Sequence, residues 1–168
     1  MINLYNAGMK RPSKIKNPLF YSFISSDPAA SSLIRTFQII SHFSWELPQQ
    51  LLGFLMGIYL LMRGTLNRSD FFKGVLFIET SSFGRGCGIS LGNIIIHGPN
   101  TSVARKQHEF GHCIQSRILG PLYLLLIGIP SFMWATARTY GYFRKPDYDA
   151  FFIERSATKL GCKYGEGI

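Results

Sequence analysis

The sequence predicts an α+β fold that is mainly helical, with a small β-sheet before an HExxH helix and with apolar helices associated with a membrane. Three observations lead there. The runs 75–79 and 87–96 are β-branched or apolar and punctuated by glycine, as strands are. The segments 47–62 and 118–137 carry no charge and read as helices too apolar to face water. Between the strands and the second segment, Thr101 or Ser102 can cap a helix starting near Val103.

The 168 residues make one domain, 1–168, long enough to bury a core of its own. Hydrophobic residues reach 46% against 16% charged, which excludes a disordered chain. Three cysteines exclude a disulfide scaffold. The 18 Lys and Arg against 9 Asp and Glu give a charge of +9, but the positive residues are spread along the chain, so no nucleic-acid partner is expected.

Residues 1–32 form a basic, poorly structured arm, with Lys10, Arg11, Lys14 and Lys16 broken by Pro12 and Pro18. The apolar run Leu19–Ile24 is too short for a secretory signal. Asp27 and Pro28 can open a short helix through Ile40. Segment 47–62 has 16 residues, slightly under spanning length, with Trp45 before it and Arg63 after it. Segment 118–137 has 20 residues and meets that length, with Tyr123 and Trp134 expected at headgroup depth. Gly128-Ile129-Pro130 at its midpoint predicts a re-entrant hairpin or a bent helix pair instead of a rod. Gly84, Gly86, Gly88 and Gly92 fit tight turns, because GRGCG matches neither a Walker loop nor a full dinucleotide fingerprint. The strand ending Ile94-Ile95-Ile96 either pairs an extended peptide at its edge or lies inside the sheet. Residues 148–160 read as a helix capped by Asp147 or Asp149 and ended by Gly161.

His108-Glu109-Phe110-Gly111-His112 is the motif that carries chemistry. Residues four apart share a helix face, so His108 and His112 can hold one Zn²⁺. Glu109 can then act on a zinc-bound water as general base. With four His and five Glu, chance gives this pattern roughly once in 300 such chains, so the match is informative. Gly111 keeps the helix slim where something must approach. A catalytic zinc needs a third protein ligand. His42 and His97 both precede the motif, and no acid follows until Asp147, Asp149 and Glu154. Glu154, inside a helix, is the first candidate, and Asp149 the second. Gln115 and Ser116 can line the same groove, and His97 can be a second histidine near the site or a turn residue. Arg117 marks the membrane border or binds a substrate anion. Cys113 reads as core or groove lining, and Cys87 and Cys162 as small buried hydrophobes.

The motif with its downstream Glu resembles the gluzincin class of zinc metallopeptidases. In that class an Asp four residues after the ligand Glu supports a zinc-binding His, and the matching position here is Thr158. The stretch HEFGHCIQSRILGPLYLLLIGIPSFMWA also looks like small bacterial membrane proteins with an HEYGH-type core, which implies a shared fold and the bacterial inner membrane, integral or monotopic. The expected function is a membrane-associated zinc-dependent hydrolase, most of all a metallopeptidase, with the lipid bilayer, a peptide substrate and a further protein as partners. The alternative is a non-catalytic membrane protein with a structural zinc or His/Glu cluster. A full span of 118–137 would separate His112 from Glu154 by about 30 Å. A bent segment at the membrane surface is therefore expected.

Overall fold

The computed structural model describes residues 36, 40, 43–141 and 151–168. The basic arm, most of the helix expected over 27–40, His42, and the candidate caps Asp147 and Asp149 lie outside the described residues. The chain runs α1 (Leu47–Met62), β1 (Leu66–Phe72), β2 (Val75–Thr80), β3 (Gly88–Leu91), β4 (Ile94–His97), α2 (Val103–Leu119), α3 (Ile129–Thr139) and α4 (Phe152–Tyr164). A 3₁₀ turn, Gly120–Leu122, and a π-helical turn, Leu124–Gly128, join α2 to α3. The fold is α+β and mostly helical, as its sequence predicts. No helix among the described residues is long and apolar enough to cross a membrane.

The four strands lie in the order β1-β2-β4-β3, with β2 and β4 parallel and the other pairs antiparallel. What reads in sequence as one strand over 87–96 is a β3–β4 hairpin. Gly92, at φ 61°, turns the chain between them. β4 is therefore an inner strand, so Ile94–Ile96 offer no edge to a peptide. β1 was not expected. Its residues Asn67 to Phe71 are all exposed, so it lacks the apolar alternation that marks a strand. Its signal is the Lys73-Gly74 turn into β2, where both residues have positive φ.

Side chains alternate across the sheet and so give it two apolar faces. Val75, Phe77 and Ile95 pack with Phe110, Cys113 and Ile114 of α2. Ile78 and Ile96 pack with Leu60 of α1, with Met56 against them. α1 is apolar all round yet touches the sheet along a narrow stripe, and only Gln49, Gly53 and Leu60 are buried.

Two turns differ from expectation. The chain does not fold back at Gly128–Pro130. Gly128 and Ile129 stay helical at φ,ψ of −59°,−53° and −64°,−50°. The reason is the π-turn before them. The Ile129 N–H reaches five residues back to the Leu124 carbonyl, which widens the helix where Pro130 brings no donor. The sharp bend lies at Gly120, with φ 54° and ψ −131°. Tyr123 is consequently buried against Ile127 and Ile153, and Trp134 stacks on Phe151 at 5.2 Å. The last helix begins at Phe152 and runs through Gly161 to Tyr164.

Gly161 does not end α4 because it serves a contact. A Cβ there would meet the Gln107 carbonyl oxygen at 1.9 Å, and one at Gly111 would meet the Ala157 carbonyl oxygen at 1.9 Å. The two glycines let α2 and α4 cross backbone to backbone. Gly111→Ala must push the helices apart. We expect a loss of about 1–3 kcal/mol, read by thermal or denaturant unfolding.

Candidate metal centre

α2 carries His108 and His112 on the face turned to α4, with ring centroids 4.9 Å apart. Across the contact, Glu154 Oε2 lies 3.1 Å from His108 Nε2 and 3.5 Å from His112 Nε2. Ligand atoms of these three residues all lie within 4.8 Å of one another, and all three residues are buried. Tetrahedral Zn²⁺ sets its N and O ligands roughly 3.3 Å apart, so the spacing suits such an ion. The second carboxylate oxygen, Glu154 Oε1, is buried with no hydrogen-bond partner. An orphaned buried carboxylate oxygen is costly unless something ligates it. The donor set therefore fits a divalent metal.

The outer ring nitrogens are held. His108 Nδ1 lies 2.9 Å from Thr158 Oγ1, and the His112 Nδ1–H donates to Gln115 Oε1 at 2.8 Å. The amide of Gln115 is fixed the right way round, because its Nε2 donates to the Ile153 carbonyl at 3.1 Å. Both Nε2 atoms are left to face Glu154, and that of His112 offers a lone pair to a metal once its proton is lost. Burial pushes the Glu154 carboxyl up. The bonds to His108 and His112, the His112 charge and the Ser131 hydroxyl outweigh it and hold the group far below the usual carboxylate range. Burial likewise pushes His112 down, and the Glu154 bond with the charges of Glu109 and Glu154 raises it above the ordinary histidine value.

Glu109 faces away from the three ligands, toward β3. Its Oε2 accepts from Ser90 Oγ at 2.6 Å, and its Oε1 pairs with Arg105 Nη2 at 2.9 Å. Gly88 leaves the room, since a Cβ there would stand 2.9 Å from Glu109 Oε1. Tyr123 donates to the Ser90 carbonyl at 3.3 Å. Ser90, Arg105 and Tyr123 were not singled out in sequence as neighbours of the site. Arg105 had a readable signal, four residues before Glu109 on one helix. Ser90 had none, because a strand reaches it across the fold.

The other candidates fall elsewhere. His97 ends β4, buried, with Nδ1 2.9 Å from the Gly98 carbonyl oxygen, and does not join the ligand group. Arg117 marks no border. It is 1% exposed and donates to Asn93 Oδ1 from Nε at 3.1 Å and Nη2 at 2.9 Å, tying α2 to the β3–β4 turn. Ser116 turns away from the groove and donates to Glu46, while Gln49 Nε2 donates to Ser116 at 3.0 Å. Cys113 is buried in the core, whereas Cys87 and Cys162 are exposed, against the expectation of buried thiols at those two positions.

Purified protein loaded with zinc should hold one equivalent by elemental analysis. His112→Ala and Glu154→Ala should lose it, while Thr158→Val and Gln115→Leu should weaken binding by about 10–100-fold. Because His112 titrates above its ordinary value, zinc must displace a proton near neutral pH. Affinity should fall as pH falls, and calorimetry in buffers of different ionisation enthalpy should record the released proton.

No protein family, curated protein or solved structure matches this chain, so the reading of the centre rests on its geometry.

Proposed function

We propose that the protein is a membrane-associated zinc-dependent hydrolase, a metallopeptidase in which His108, His112 and Glu154 hold the ion and Glu109 is the general base. The observation that carries this reading is the unpartnered buried oxygen of Glu154, on a carboxylate that also faces the Nε2 atoms of His108 and His112. Bound Zn²⁺ would supply Lewis acidity for polarising a carbonyl and for acidifying water. Glu109, next in sequence to one ligand, accepts the proton of the attacking water and returns it to the leaving amine. Arg105 and Ser90 hold that carboxylate on the β3 side between turnovers.

An open cleft of about 420 Å³ lies against Arg105, the ion-pair partner of this carboxylate, and is lined by Gly86, Cys87, Gly88, Ala135, Arg138 and Thr139 as well. It gives a substrate room next to Arg105. Among the described residues β3 pairs only with β4, so its outer edge is where an extended peptide would add. Both features support a peptide over a compact substrate.

The second reading, a zinc that only staples α2 to α4, is favoured by one observation. Glu109 is 2% exposed and already paired. One variant separates the two. Glu109→Gln should keep its zinc and lose about 10²–10⁴-fold in hydrolysis of a dye-quenched peptide library. Unchanged hydrolysis removes Glu109 as base. Zinc binding without hydrolysis in the wild type supports the staple.

A further inference from the structure

The outward surface of this chain is distributed as if water were not its only solvent. Phe54 and Leu61 of α1, Leu125 of the π-turn, and Phe132 and Met133 of α3 are each at least 60% exposed. Single exposed apolar side chains are ordinary, but a contiguous set marks an interaction surface. The two strips do meet. Trp45, just before α1, packs over Gly120, and Gln49 of α1 donates to the Gly120 carbonyl at 2.9 Å.

Charge selects the occupant. No acid occurs from Leu47 to Met62 or from Phe110 to Pro146. Among the described residues, Glu46, Glu109 and Glu154 are buried, and the remaining acids sit on β1, on β2 and beyond α4. Cations stand at the ends of the apolar strips. Arg63 follows α1 with its guanidinium 5.9 Å from the Tyr59 ring centre, and Arg138 lies in the last turn of α3. An apolar face with cationic ends and no acid complements an anionic lipid surface.

Geometry then sets the depth. α1 is about 24 Å long and lies along the sheet, with Gly53 on Leu91 and Ile94 and with Leu60 on Ile78 and Ile96. The same sheet exposes Asn67, Arg68, Ser69 and Asp70 on β1. A spanning α1 would draw those groups toward hydrocarbon, whereas an in-plane helix would not.

We infer that α1 and the 118–140 segment together form a monotopic docking face, which lies in the plane of one anionic leaflet. This rests on the membrane-associated reading above and names its partner. It also gives α3 two roles. Its outer side, Phe132 and Met133, meets lipid, while its inner side stacks Trp134 on Phe151, three residues before Glu154. The element in contact with the bilayer is thus the one that covers the ligand helix, and substrates approach from the interface.

The test is flotation of the full zinc-loaded chain with phosphatidylcholine vesicles, with and without phosphatidylglycerol. Binding should strengthen with the anionic lipid, and alkaline carbonate should release the protein. Phe54→Glu and Phe132→Glu should each weaken binding about tenfold or more with zinc content unchanged, whereas Ser69→Glu on β1 should not. Resistance to carbonate would mean a spanning chain and overturn the in-plane face. So would a stable dimer that ignores vesicles, in which a second copy covers the surface. A protein that hydrolyses peptides but never floats would sink this inference and the membrane association it rests on, and leave the catalytic reading standing. One that floats but never hydrolyses would sink the catalytic reading alone.

Discussion

The close crossing of α2 on α4 is the contact on which the site depends. His108 and His112 come from one helix and Glu154 from the other, so their spacing is the spacing of the helix axes. Gly111 and Gly161 remove the side chains that would hold those axes apart. The helix pair then presents its ligands without any loop having to be ordered around them. The same crossing brings Thr158 to the back of His108, which orients the ring from the helix that supplies the carboxylate. Thr158 gives a neutral hydroxyl where the gluzincin resemblance leads one to expect an acid, so the imidazole is oriented without added negative charge.

Around this crossing the interior is polar to an unusual degree. Glu46, Gln49, Ser116 and Arg117 are all buried at the junction of α1 and α2, where Gln49 donates to Ser116, Ser116 donates to Glu46, and Arg117 donates to Asn93 in the β3–β4 turn. Such groups are tolerated only when their bonds are made. Polar contacts also fix α2 near both of its ends. The Trp45 indole donates to the Arg117 carbonyl, and the Ser102 hydroxyl accepts from Arg105 N. The HExxH helix is held in register by polar contacts that permit one arrangement, where apolar packing alone would allow several.

Sequence carried the ligand set further than it carried the shape. A period of four placed His108 and His112 on one face, and Glu154 stood out as an acid inside a helix between apolar neighbours. These are local signals, and the structure brings the three residues together. Three misses share one cause. β1 is a polar outer strand whose pairing partner, not its own pattern, makes it a strand. Ser90 reaches Glu109 across the fold from a hairpin that a continuous apolar run conceals. The bend falls at Gly120, where Trp45 and Gln49 from a distant segment occupy the space, and not at the more visible Gly128–Pro130 pair, which a π-turn absorbs. Each was decided by residues far away in sequence, which periodicity does not see.

The polar interior and the apolar exterior belong to one constraint. In water, a helix like α1 with exposed leucines and phenylalanines loses the burial free energy of each, about 1.5–3 kcal/mol per side chain. Burying Glu46, Arg117, Glu109 and Glu154 works against stability as well, unless every partner is in place. A chain of net charge +9 that hides three of its acids and displays its aliphatic side chains is opposed by water on both counts. A bilayer surface would reverse the first term and leave the second to the hydrogen-bond network and a bound metal. On the proposed reading zinc and lipid would act as parts of one fold. The ion would neutralise the carboxylate that α4 brings inside, and the leaflet would cover the apolar side chains that α1 and α3 leave outside.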